Sequence, residues 1–159
     1  MTPSGFSADP TSPPRPGGGA ATASRLLVGF DASPSSVRAV RLAVDMARGG
    51  RATVWLVFAQ QSRPLAAEPR TEEEISVPVR TTQKAMETLI QEARDAGVRA
   101  EVIVRDGDPA TVILSVVREL NAGMVFVGTR GLGGPARLLL GSVSSRVVNA
   151  GLVPVTVVP

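Results

Sequence analysis

Five short apolar runs alternate with segments whose apolar residues recur every three or four positions, and this alternation limits the chain to few folds. The runs are 26–30, 53–59, 100–104, 124–127 and 153–158. They are short, rich in β-branched residues and apolar nearly throughout, as expected of strands buried on both faces. Between them, Val37, Val40, Val44 and Ala47 mark one helical face, as do Met86, Leu89, Ile90 and Ala93 within 81–96, and Val112, Ile113, Val116, Val117 and Leu120. Ser33-Pro34 and Asp108-Pro109 read as helix starts, a capping side chain followed by proline at the first helical position. Gly49-Gly50 and Gly97 read as helix stops. Strand and helix in turn predict an α/β fold, a single three-layer sandwich around a five-stranded, mostly parallel sheet with right-handed crossovers.

The remaining segments lack this periodicity. Residues 1–24 are rich in proline and glycine, with Phe6 as the one large aromatic, and bury too little to offset their ordering entropy. They are expected to form a disordered tail, with the folded domain at 25–159. Residues 60–80 carry Pro64, Pro69, Pro78 and the acidic run Glu72-Glu73-Glu74, and are expected to be mostly loop. Valines 153–158 make the last strand nearly all apolar. A bare apolar edge strand invites pairing with a second copy, so a homodimer through Val153–Val158 is expected.

Composition removes several functions. The chain has no Cys, so there is neither a disulfide framework nor thiolate chemistry. It has no His and no Tyr, which removes the commonest general base and zinc ligand and a main stacking side chain. The net charge is +3, and the arginines are scattered rather than clustered, so a solvated surface is expected and nucleic-acid binding is not. No apolar run approaches the length of a membrane span and the N-terminus lacks a hydrophobic signal core, so the expected location is cytoplasmic.

The chemistry lies after the fourth run. Gly128-Thr129-Arg130-Gly131 begins where that strand ends, Gly133-Gly134-Pro135 follows, and Gly141-Ser142 opens a stretch with Val143, Val147 and Val148 at helical spacing. A strand, a glycine loop and a helix N-terminus together form a phosphate-binding layout. Glycines admit backbone N–H groups close to an anion, and the helix start supplies unpaired donors at a positive dipole end. The G-x-x-x-x-G-K-[ST] loop, an S-G-G-x-D-S adenylating loop and a G-x-G-x-x-G after the first strand are all absent.

The stretch GTRGLGGPARLLLGS, Gly128 to Ser142, resembles the nucleotide-binding signature of the universal stress proteins: G-x-x-G, nine residues, then G-S. The resemblance runs from about Arg25 onward and takes in Val28-Gly29-Phe30-Asp31-Ala32-Ser33 and Gly107-Asp108-Pro109. It implies strand order 3-2-1-4-5 in a Rossmann-like, adenine nucleotide alpha hydrolase-like sandwich. In that order Asp31 and Gly128 meet at one crevice. It further implies ATP, possibly with Mg2+, as the ligand. The candidate binding residues are Asp31, Ala32, Phe58, Gly107, Gly128, Arg130, Gly131, Gly141, Ser142, Val143 and Ser144.

Each of these has a plainer reading. Gly128 and Gly131 are also turn residues, and Ser142 is also a helix cap. Asp31 is also an Asx-turn residue before Ser33, whereas the family's Asp contacts the adenosine part. Phe58 matches a position whose backbone meets the adenine edge, and it is equally a core aromatic. Arg130 and Arg137 flank the loop and could steady phosphates, while Arg146 is expected to point to solvent. Members of the family often carry His where this chain has Val57 and Leu132, and Asp where it has Gly123. Acid–base catalysis is therefore poorly supplied, with Asp31, Asp106 and Asp108 as the carboxylates. Three functions follow: an ATP-binding regulator with slow or no turnover, a slow Mg2+-dependent ATPase, and a nucleotide-independent dimeric module.

Overall fold

The computed structural model describes the main chain of residues 24–60, 72–129 and 140–159, and the side chains of all of these except 72–80. The elements are β1 (Arg25–Phe30), α1 (Pro34–Ala47), β2 (Thr53–Gln60), α2 (Glu72–Asp95), β3 (Arg99–Asp106), α3 (Pro109–Leu120), β4 (Met124–Gly128), α4 (Ser142–Ala150) and β5 (Val155–Val158). They form one five-stranded sheet in the order β3-β2-β1-β4-β5, and every neighbouring pair is parallel. The expected α/β sandwich and its strand order are both present.

The strands alternate their side chains between two cores. Leu26, Val28, Phe30, Val54, Leu56 and Phe126 face the layer made by α1 and α2, where Val40, Val44, Met86 and Leu89 meet them. Leu27, Val57, Val125 and Val127 face the other layer, with Ile113, Val116 and Val117 of α3 and Val147 of α4. Phe126, Leu27 and Leu56 are fully buried. Each such side chain contributes about 1.5–3 kcal/mol over its exposed state. This two-sided burial explains why the strand runs are apolar throughout rather than alternating.

Strand boundaries differ from the sequence reading by one or two residues, and the start of α2 by nine. Residues 72–80 are helix rather than loop, because α2 already begins at Glu72, and 61–71 lie outside the described residues. Glu72-Glu73-Glu74 occupies its first turn, where carboxylates suit the positive end of the helix dipole. Pro64 and Pro69 lie outside the described residues, as does the tail up to residue 23, while Pro78 sits within α2. The final strand starts at Val155 rather than Val153, and the Pro154 carbonyl just before it accepts the Val125 N–H at 3.0 Å. The Ser24 carbonyl accepts the Thr53 N–H at 2.9 Å, so pairing begins one residue before β1.

Candidate functional site

The strand order reverses between β1 and β4. The chain leaves β1 through α1 toward β2, and it comes back through α3 to place β4 on the other side of β1. Crossovers that depart in opposite directions open a crevice at the carboxyl ends of these two strands. Each wall of the crevice is a strand end followed by a helix start.

The β1 wall is a tight polar turn. The Asp31 carboxylate accepts the Ser33 N–H at 2.9 Å through Oδ1, the Asx-turn arrangement. Among the described residues its Oδ2 has no hydrogen-bond partner. Ala32 has φ 64°, in the left-handed region that residues with a Cβ seldom adopt. Such strain at a strand end is a mark of functional turns. Ser33 is the N-cap of α1, its hydroxyl accepting the Ser36 N–H at 3.2 Å, with Pro34 at the first helical position. The Ser36 hydroxyl donates to the Ser33 carbonyl at 3.0 Å and accepts the Asp31 N–H at 3.4 Å, tying the turn to the helix.

The β4 wall is a closed loop base. Thr129 N–H donates to the Val158 carbonyl at 2.7 Å, and the Thr129 carbonyl accepts the Gly141 N–H at 2.6 Å. The buried Ser144 hydroxyl lies 3.3 Å from the Thr129 carbonyl and 3.0 Å from that of Gly141. The chain after Thr129 thus returns at Gly141 to the point it left, and α4 starts beside the end of β4. Gly141, not Ser142, is the N-cap, and no side chain caps this helix. The first intrahelical bond is Ser145 N–H to the Gly141 carbonyl. The N–H groups of Ser142, Val143 and Ser144 therefore have no acceptor within the helix, which is the arrangement that receives an anion.

The remaining candidates divide by position. Phe58 pairs in register with Phe30 at the end of β2, one strand from the crevice, and is half-buried. It borders a groove of about 540 Å³ between α2 and the outer strands, lined also by Gln60, Met86, Ile90, Val102 and Val104. Neither Asp31, Gly128 nor Ser142 lines that groove, so it is a separate feature of the surface. Gly107 sits two strands from β1, with φ +135° and its N–H on the Gln60 carbonyl at 2.8 Å. Only glycine adopts that conformation without strain. Arg130, Gly131 and Arg137, together with Leu132, lie outside the described residues.

Arg146 differs from its sequence reading. It does not simply point to solvent: its guanidinium pairs with the Asp108 carboxylate at 2.7 Å and donates to the Thr111 hydroxyl at 3.1 Å. Asp108 is also the N-cap of α3, accepting the Thr111 N–H at 3.0 Å and its hydroxyl at 2.8 Å. The Arg146 hydrogen bond, reinforced by those from Thr111, holds the Asp108 carboxyl down to about 2. The pair joins the N-terminus of α3 to α4. Sequence reasoning missed it because the partners are 38 residues apart with no pattern linking them. It also missed Thr129, whose role is carried by its backbone.

The family model for the universal stress protein family matches residues 22–159. Universal stress protein YxiE of Bacillus subtilis is 29% identical over 144 residues, spanning 84% of this chain and 97% of its own. The structure of universal stress protein UspA from Lactobacillus plantarum superposes with a TM-score of 0.75 at 21% identity, over 88% of this chain and 100% of that one. A universal stress protein solved in complex with cAMP superposes with a TM-score of 0.64 at 26% identity, over 86% of this chain and 96% of that one. With Gly128 and Gly141-Ser142 at the crevice and the matching fold around them, the chain belongs to the universal stress protein family.

Proposed function

We propose that this protein binds an adenine nucleotide, ATP with Mg2+, in the crevice between β1 and β4, and acts in the cytoplasm as a stress regulator whose shape or partners respond to occupancy. One observation carries the reading: the Asp31 turn and the N–H groups of Ser142, Val143 and Ser144, which have no acceptor within α4, stand at adjacent strand ends, where the sheet reverses. A carboxylate suits ribose hydroxyls, and a helix N-terminus suits phosphate. The 26%-identical relative solved with cAMP supports an adenine nucleotide as the ligand.

Turnover is slow or absent in this reading. The chain has no His, Cys or Tyr. Asp108 is engaged by Arg146 and is too weak a base at neutral pH, with its carboxyl at about 2. Asp31 has one oxygen committed to the Ser33 N–H. Asp31 and Asp106 remain as carboxylates, and a Mg2+ ion carried in with the nucleotide would supply a metal-bound water as a further source of proton transfer.

Titration calorimetry with ATP, ADP and AMP tests the binding. ATP with Mg2+ is expected to bind and to raise the melting temperature by preferring the folded state. Ser142→Ala is expected to weaken it by about 1 kcal/mol, the size of one lost hydrogen bond. No heat with any of the three nucleotides at millimolar concentration rejects the proposal.

A further inference from the structure

Gly128 is a glycine for a reason other than phosphate approach. A Cβ built at this position would overlap the Ser35 hydroxyl, lie 2.9 Å from the Ser35 Cβ and stand 3.1 Å from the Ser36 main-chain nitrogen. A rotamer change at Ser35 relieves only the first of these, because the other two atoms are fixed to the α1 backbone. The end of β4 thus touches the first turn of α1 through a bare Cα. Ser35 and Ser36 are buried against it. Ser36 in turn holds the Asp31 N–H and the Ser33 carbonyl through its hydroxyl. Whatever moves Ser35 away from β4 therefore also moves the Asp31 turn.

We propose that Ser35 is a positioning residue of the nucleotide crevice, its contact with Gly128 setting how closely the Asp31 turn lies to the end of β4. The binding arm of this proposal rests on the nucleotide reading above; the packing arm does not. The steric chain predicts a specific rescue. Alanine at 128 pushes α1 outward; removing the facing side chain to its Cα relieves the two closest contacts and leaves the 3.1 Å approach to the Ser36 nitrogen, which a shift of a few tenths of an ångström accommodates. Ser35→Gly removes both the hydroxyl and the Cβ, whereas Ser35→Ala leaves the Cβ in place.

The test uses Gly128→Ala, Ser35→Gly, Ser35→Ala and the two double variants, in the full chain. It reads Mg·ATP affinity by calorimetry, the melting temperature of the nucleotide-free protein, and the Asp31 amide resonance. Gly128→Ala is expected to weaken ATP binding by about tenfold or more, the size of roughly one lost charge-assisted hydrogen bond between the Asp31 turn and the ligand. It is also expected to shift the Asp31 amide and lower the melting temperature. Gly128→Ala with Ser35→Gly is expected to return to within about threefold of Ser35→Gly alone, the non-additivity of residues in contact. Gly128→Ala with Ser35→Ala stays impaired. If Gly128→Ala does not fold, recovery of a cooperative transition in the Ser35→Gly double is the expected result, and its absence overturns the proposal. Wild-type affinity in Gly128→Ala overturns it too. So does a Ser35→Gly double no better than Gly128→Ala, which would give Gly128 a direct role at the ligand. If the wild type binds no nucleotide, the functional reading fails by itself, and additive melting temperatures in the double variant separately overturn the contact.

Discussion

Asp108 and Arg146 have the sharpest electrostatic signature at the scale of single residues. A carboxyl at about 2, against an ordinary value near 3.8, means that the folded state holds the charged form more tightly than the unfolded state does. For a depressed acid the stabilisation is complete above the unfolded value and is lost as pH falls through the folded one. The stability supplied by this pair is therefore present above about pH 4 and lost on the way to about pH 2. Carboxyl-carbon NMR is expected to place the Asp108 midpoint near the lower value and to find it in the ordinary carboxylate range in Arg146→Gln. An unchanged midpoint in that variant would mean that Thr111 alone holds the charge. Asp108 was legible as a helix cap from its place before Pro109. Its guanidinium partner was not, because an ion pair between α3 and α4 leaves no periodic trace in the sequence.

Among the elements, α1 was the most legible, and its start carries the crevice. Ser33-Pro34 marks the N-cap and first helical position, and the structure has both. Ser33→Ala removes the acceptor of the Ser36 N–H and is expected to cost about 1 kcal/mol of stability. Calorimetric melting is expected to fall by about 3 °C for a domain of this size. A loss within error would mean that the Ser36 bonds alone hold the turn. The start of α2 was misread because three prolines outweighed the acidic run. The run was a first-turn signal, since carboxylates gather where helix N–H groups are unpaired. At α4, the glycine and serine were seen but their order of duty was not: Gly141 caps and Ser142 follows, leaving the Ser142 hydroxyl unused by the helix.

Considered as a whole molecule, the sheet has unlike edges. On one side, β3 leaves Val102 and Val104 39% and 47% exposed above the groove under α2. On the other, β5 is short, with Val155 and Val157 turned into the α3–α4 core and Val158 into the opposite one. Leu42 and Met46 of α1 are exposed, one and two turns beyond Arg38, whose guanidinium reaches the Pro159 carbonyl at 2.6 Å. Val148 and Leu152 are exposed on the α4 side. We propose that β5 and these flanking residues form the face of a homodimer, because a second copy related by a two-fold axis would satisfy the edge and bury the apolar rim. Light scattering is expected to give twice the monomer mass of 16.5 kDa. Met46→Glu with Leu152→Glu is expected to shift it toward monomer without unfolding, since both side chains are outside the core. A clean wild-type monomer at tens of micromolar would reject the dimer. Val155→Lys is a poorer probe, because that side chain packs into the fold of its own chain.

The sequence alone determined the element types and the layer architecture, because an apolar run of four to seven residues and a 3.6-residue periodicity are local properties that burial on both faces of a sheet demands. It also determined the starts of α1 and α3, since cap chemistry is written within a few residues. The tertiary structure decided what those residues touch. Gly128 read as an approach point for an anion, and the fold gives it a second duty against Ser35. Arg146 read as solvated, and the fold brings Asp108 to it. The strand order that sets Asp31 beside Gly128 came from family resemblance rather than from the residues, because which strands pair depends on the summed packing of both layers and not on any one segment. A contact between residues distant in the chain is paid for by the whole fold, so no local pattern has to record it.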